Sequence, residues 1–297
     1  MGAADGGGPP MTRAGAIPAS RRAAPSRAWI LLLALWAWSA WGPVWGDDGA
    51  APVIAIVIDD LGNDLESARR IAALPAPVTV AVLPFSPYAG LVGGLVQENG
   101  HEVMLHLPME ADGDHDPGPG AIRTRLNEAQ TRRLVRRALE RVPQARGMNN
   151  HMGSRLSRSP HHLAWIMSEL LAHDPGLYVL DSRTHVQTRI QQVARWAGLK
   201  NTRRDVFLDA RPHDAGFARR QLEHLARLAR TRGQALGIGH PHPQTLAALE
   251  AMLPRLQAQG FELVTVSRYL WQQEEIPQWH ASLSPSPPAA KNSKPSP

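Results

Sequence analysis

The sequence predicts one α/β domain built as a β/α barrel, and three observations predict it. Apolar, β-branched runs alternate with amphipathic stretches of helical length from about residue 52 to residue 270. The first of these runs, Val53–Ile58 (VIAIVI), is uninterrupted, which marks a parallel strand buried on both faces. With 297 residues, 43% of them hydrophobic, the chain can supply the roughly 250 residues that such a barrel requires. Seven or eight strand-then-helix units fit a barrel best, and an open doubly wound sheet is the alternative.

The elements follow in order. After Val53–Ile58, Asp64 is placed to cap a helix running to about Leu74. Val78–Leu83 reads as the second strand, Tyr88–Asn99 as a helix and Val103–Leu107 as the third strand. Asn127 caps a long amphipathic helix to about Val142, and Gly147–Asn149 is a weak fourth strand. Ser159-Pro160 opens a helix to about His173, because a proline at the first helical position gives up an N–H that has no partner there. Leu177–Leu180 is the fifth strand, with a helix at Gln187–Ala197 after it. Asn201–Phe207 holds a short sixth strand, and Ala215–Arg232 is a helix that Gly233 ends. Ala235–Ile238 and Leu263–Val266 are the last strands, on either side of a helix from about Gln244 to Gln259.

The ends read differently. Residues 1–46 are expected to be a signal peptide: Arg21, Arg22 and Arg27 precede the uncharged run Ala28–Trp41, and Val44-Trp45-Gly46 offers a cleavage site. Uncleaved, the same segment would serve as a membrane anchor. Either way the body is expected to be periplasmic or otherwise exported. That body spans 47–273, and 274–297 is a Pro/Ser-rich tail too polar to bury a core.

Composition excludes several classes of function. Without cysteine there is no disulfide, no thiolate metal site and no thiol nucleophile. The net charge of +6 rests on arginine, since lysine occurs only at Lys200, Lys291 and Lys294. These cations are not interleaved with aromatic residues, so no nucleic-acid partner is expected. No phosphate-binding glycine loop, dinucleotide fingerprint or serine nucleophile elbow is present in the sequence.

The chemically able residues gather just past the strand ends: Asp59-Asp60, His106, Asn149-Asn150-His151, Asp181, and His240 with His242. In a parallel barrel that rim carries the active site. Of the adjacent carboxylates Asp59 and Asp60, one can bind a cation while the other takes a proton from water; the plainer reading is a turn shaped by Asp60 and Asn63. Asp plus His106 and His151 leaves open positions on a zinc-like ion. His151 can equally belong to a turn, and the amides of Asn149 and Asn150 suit a carbonyl or sugar hydroxyls. Asp181 and His240 can form an oriented acid pair; otherwise Asp181 caps the next turn. The other histidines, His101 and His162 among them, read as surface or loop residues.

The strings Val-Ile-Asp-Asp-Leu-Gly, His-Leu-Pro-Met-Glu, Gly-Met-Asn-Asn-His-Met-Gly-Ser, Asp-Ser-Arg-Thr and Gly-Ile-Gly-His-Pro-His, in that order, resemble the divergent polysaccharide deacetylase family, a distant branch of the metal-dependent polysaccharide deacetylases. The resemblance covers about Pro52 to Leu270. It implies a distorted barrel and a divalent metal, zinc first among the candidates, held by one Asp and two His. It assigns Asp59 as base, Asp60 and His106 as metal ligands and His240 as general acid. The better-known branch places its second metal histidine where Glu110 stands here, so the third ligand is His151 or Glu110, and His151 carries the role. The implied activity is removal of an N- or O-acetyl group from a cell-envelope polysaccharide or peptidoglycan-like substrate. A barrel that binds envelope glycan or protein without turnover, with a structural metal, is the rival expectation.

Overall fold

The computed structural model describes residues 50–214 and 216–272. The signal peptide or anchor expected in 1–46 and the tail expected in 274–297 lie outside the described residues. No helix among the described residues is long and apolar enough to cross a membrane.

The strands are β1 (Val53–Leu61), β2 (Thr79–Val82), β3 (Glu102–Met109), β4 (Gly147–Met152), β5 (Tyr178–Asp181), β6 (Asn201–Arg203), β7 (Val206–Phe207), β8 (Gln234–Gly239) and β9 (Glu262–Val264). The helices between them are α1 (Leu65–Ala72), α2 (Ala89–Glu98), α3 (Glu128–Arg141), α4 (Pro160–His173), α5 (Ile190–Trp196), α6 (Phe217–Arg232) and α7 (Pro243–Ala258). Asp64 caps α1 through the Glu66 and Ser67 amides, and Asn127 forms a capping box with Gln130 on α3. Ser159 makes no capping bond; its hydroxyl meets His162 Nδ1 at 2.8 Å instead.

All strand pairs are parallel, in the order β6-β5-β4-β3-β2-β1-β8-β7. The fold is a distorted β/α barrel, and the distortion lies in two changes of partner. Along one side of β1, Val53–Ala55 pair with β9 and Val57–Leu61 with β2. At the seam, only Arg204 and Asp205 separate β6, which pairs with β5, from β7, which pairs with β8. The sixth strand read from the sequence is therefore two short strands with different neighbours.

Period-two alternation divides the buried residues. Ile54, Ile56, Ile58, Val80, Val82, Val103, Leu105 and Val179 face outward and join the helices in one large apolar cluster. Val53, Ala55, Val57, Ala81, Met104, Tyr178, Leu180, Leu236 and Ile238 face inward and fill the barrel with Val264, Val266, Tyr269 and Leu270. Low in that interior, Glu102 Oε1 accepts from Tyr178 Oη (2.6 Å), Thr79 Oγ1 (3.0 Å) and Ser267 N (3.2 Å). A buried carboxyl is tolerated there because donors surround it. Above it, the inward positions at the C-terminal ends of the strands carry the polar residues described below.

Gly147, inward on β4, makes room for the Tyr178 ring, which a Cβ there would overlap. Gly147→Ala should lower stability in urea unfolding by about 1–3 kcal/mol, the usual cost of overpacking. Gly94, in α2 with nothing near its would-be Cβ, is the control: Gly94→Ala should hold or raise stability by up to about 1 kcal/mol.

Candidate metal and acid–base centre

β1 reaches the site through a break in its own pattern. Asp59 continues the inward series of Val53, Ala55 and Val57, so Asp60 would ordinarily point outward. Instead Asp60 has φ 62°, and the register with β2 shifts between Ile58 and Leu61. That irregularity turns both carboxylates to one side, the usual service of a bulge beside a functional site. Gly62, with φ 117°, completes the turn, and any Cβ there would strike the Ser86 side chain.

Asp60 meets two histidines. Its Oδ1 lies 2.7 Å from His151 Nδ1 and 3.0 Å from His106 Nε2, and these two nitrogens are 3.2 Å apart. For comparison, neighbouring ligand atoms of a tetrahedral zinc ion stand about 3.3 Å apart, given bonds of about 2.0–2.1 Å. His106 and His151 come from adjacent strands and inward parity, β3 and β4, with His106 in register with Asn149. Glu110 is not among them: its Oε2 accepts from Thr124 N and Oγ1, and Arg155 pairs with its Oε1.

The tautomer of His106 follows from its neighbours. Asp59 can only accept, so Asn149 Nδ2 donates to Asp59 Oδ1 (2.8 Å). Asn149 Oδ1 is left to accept from His106 Nδ1 (2.7 Å), so Nε2 is the nitrogen that faces Asp60 and His151. A donor bond from the far nitrogen is the support a metal-bound histidine ordinarily has. Asn149 is wholly buried and both ends of its amide are occupied, so its side chain braces the site. Asn150 is also spent internally: it accepts from Ser182 N (3.0 Å) and donates to Met152 O (2.7 Å). Both side-chain amides, expected to hold a carbonyl or sugar hydroxyls, make bracing bonds here.

The electrostatics call for a cation. Burial lowers the pKa of His106, but Asp59 and the hydrogen bond donated to Asp60 outweigh it and raise the imidazole to about 9. Burial would raise Asp60, yet the two histidines hold it well below the usual carboxylate range. Two imidazoles and a carboxylate sharing one point favour positive charge there, which a proton or a bound cation can provide. Asp59, 3% exposed, is pushed up by burial, partly offset by His106 and His240.

The carboxylate on His240 is Asp209, not Asp181. Asp209 Oδ1 accepts from His240 Nδ1 at 3.0 Å, while its Oδ2 accepts from His240 N and from Thr245 Oγ1 (3.0 Å). His240 Nε2 then faces Asp60 Oδ2 at 3.7 Å. Parity explains the exchange. Tyr178 and Leu180 point inward, so Asp181 points outward, where it accepts from Arg183 N (2.8 Å) and Thr188 Oγ1 (3.0 Å). Asp209 has inward parity and lies two residues past β7, just beyond the end of the expected sixth strand. Counting in twos from Phe207 would have found it. Asp209, His240 and His242 also present atoms within 4.8 Å of one another, but both Asp209 oxygens are already in use. His101 and His162, read as surface or loop, are buried structural residues bonded to Val78 N and to Leu126 O.

Two cavities meet at Asp60 and His151. One, of about 510 Å³, is walled by Phe85, Pro87, Pro117 and Pro119 with Asp116 at its edge. The other, of about 470 Å³, is lined by Asp59, His106, Met152, Arg183, Arg204, Phe207 and His240. Both are in the size range of small-ligand sites.

The family model described as divergent polysaccharide deacetylase matches residues 56–270, which carry every strand above from within β1 to β9. The chain belongs to that family. It is 36% identical over 203 residues to the uncharacterized protein YibQ of Escherichia coli (strain K12), a match covering 68% of this chain and 63% of that one. The chain thus spans under two thirds of YibQ. An uncharacterized protein of Haemophilus influenzae is 33% identical over 223 residues, covering 75% of this chain and 78% of that one. Among solved structures, the uncharacterized protein ATU2773 from Agrobacterium tumefaciens C58 superposes with TM-score 0.70 at 23% identity, over 78% of this chain and 94% of its own. Peptidoglycan deacetylase PdaC from Bacillus subtilis superposes with TM-score 0.50 at 14% identity, over 80% of this chain and all of its own. These two likenesses are of fold.

Zinc added to the metal-stripped protein should raise its melting temperature, by about 4 kcal/mol of stabilisation at a thousandfold excess over Kd. His151→Ala should abolish the rise, and Asn149→Ala should weaken zinc binding about 10- to 100-fold. Calorimetric zinc titration of the three proteins checks both.

Proposed function

We propose that this protein is an exported, metal-dependent hydrolase that removes an N- or O-acetyl group from a cell-envelope carbohydrate. One observation carries the reading: Asp60, His106 and His151 converge where two clefts meet, beside the buried carboxylate of Asp59 and the carboxylate-backed imidazole of His240. The family supplies the substrate class, and the apolar run Ala28–Trp41 supports export.

Asp60, His106 and His151 would hold the ion, leaving its remaining positions open toward the clefts. Bound there, a divalent cation supplies Lewis acidity, making water nucleophilic near neutral pH and polarising an acyl carbonyl. Asp59 receives the proton of the attacking water; burial has raised its basicity above that of an exposed aspartate. Asn149 keeps that carboxylate oriented. His240, protonated at Nε2 and fixed at Nδ1 by Asp209, delivers a proton to the departing nitrogen or oxygen of the sugar. The proline-rich cleft beside Phe85 offers an apolar face for a sugar ring.

Asp59→Asn should keep zinc binding and fold while lowering acetate release from acetylated envelope glycans by about 10²–10⁴-fold. Full activity in that variant, or no release by the zinc-loaded parent from any acetylated glycan, would leave the binding-only barrel as the better account. His240→Ala should slow release from a sugar acetamide by about 10²-fold or more, but spare an aryl acetate whose leaving group needs no proton. Steady-state rates on the two substrates compare them.

A further inference from the structure

Several arginines around the two clefts end on carboxylates: Arg123 on Asp116, Arg155 on Glu110 and Arg158 on Asp112. Two do not. Arg183 and Arg204 line the same cavity as Asp59, Asp60, His106, His151 and His240, and neither forms an ion pair among the described residues. Arg183 follows β5 in a left-handed conformation (φ 53°), held by its N–H on Asp181 Oδ1. Arg204 occupies the two-residue joint between β6 and β7. Its Nε donates to Ser182 O (2.8 Å) and its Nη2 to Arg183 O (3.2 Å), and it lies over the Phe207 ring at 4.6 Å.

The surroundings give neither guanidinium a salt-bridge partner among the described residues. Arg204 is half-buried, and burial together with the Arg183 charge disfavours its cationic form, while the charges of Asp59, Asp181 and Asp209 offset part of that. The carboxylates near enough to be felt are engaged elsewhere: Asp59 with Asn149, Asp181 with its own loop, Asp209 with His240 and Thr245. The backbone of the β5 loop is thus organised to hold two like charges together at a cavity wall. An anion is what such a pair accepts. Guanidinium forks match a planar carboxylate, and the neighbouring walls, Met152, Phe207 and Ile238, suit the body of a sugar ring.

We propose that Arg183 and Arg204 form a carboxylate-binding subsite, and that the substrate is an anionic glycan whose acetylated residue lies beside a carboxylate-bearing sugar. This rests on the hydrolase reading for its substrate class, but the subsite is tested without turnover. Asp181, outward on β5, acts as a positioning residue for the subsite through Arg183 N.

The test is calorimetric binding of a glucuronate-containing tetrasaccharide and of its methyl ester, which has the same sugar skeleton and no charge, to the zinc-loaded protein. The acid should bind about tenfold tighter or more, the usual worth of a hydrogen bond to a charged group. In Arg183→Gln and in Arg204→Gln the ratio should fall toward one with zinc content unchanged. Arg183 is exposed, so its variant should fold even if the Arg204 variant does not. Equal binding of acid and ester overturns the proposal. So does a preference that survives in Arg183→Gln, which would place the carboxylate on the metal, or tighter binding of a sugar phosphate. Acid preference without acetate release would instead defeat the hydrolase reading and leave the subsite standing.

Discussion

The functional region depends on one backbone constraint, the left-handed turn at Asp60. A regular strand presents successive side chains to opposite faces, so two adjacent carboxylates cannot both serve one site. The irregularity at the end of β1 removes that obstacle, at about 1–2 kcal/mol for a non-glycine residue in this conformation. Aspartate tolerates the region better than most residues, and Gly62 absorbs the rest of the turn. If Asp60 were returned to an extended conformation, His106 and His151 would face each other without a carboxylate between them.

From that turn the remaining parts are coupled through few bonds. A single amide, Asn149, holds Asp59 on one side and His106 on the other, so the candidate base and a candidate ligand cannot move independently. The seam of the barrel does similar work on the far side. Because β6 and β7 change partners within two residues, Arg204 is left in the joint and Asp209 comes up beside His240 on β8. The distortion of the barrel and the equipment of its rim thus have the same cause.

Much of this was legible in the chain. The uninterrupted run VIAIVI announced a strand buried on both faces, and Asp64 and Asn127 announced their caps. Rim placement singled out Asp59, Asp60, His106, His151 and His240 as candidates, and the structure brings their side chains together. What was not legible depended on parity and on strand ends. Asp181 stands at a strand end as the others do, yet one residue of phase turns it outward. Asp209 was missed because a strand of two residues shows little pattern, although its spacing of two from Phe207 was there to be read. The fourth strand, expected over Gly147–Asn149, runs on to Met152, so the adjacent Asn149 and Asn150 brace opposite faces of it. Arg204 carries no sequence signal, since its meaning lies in the carboxylates it lacks.

The order of the two carboxylates has a physical basis in this geometry. Asp60 has one oxygen committed to both histidines and the other facing His240, so a proton there would compete with every neighbour it has. Asp59 keeps one oxygen on Asn149, while Oδ2 stands 3.9 Å from His106 Nε2, close enough to feel its charge but outside hydrogen-bond reach. Burial destabilises its charge and the nearby imidazoles restore part of it, the balance that the proposed base needs in order to accept a proton and give it up again. With the proposed roles exchanged, the carboxylate bound to both histidines would have to act as base, and it is the one least able to hold a proton. The turn at Asp60 therefore does more than gather two acids: it gives them unequal surroundings, and acid–base chemistry needs that inequality.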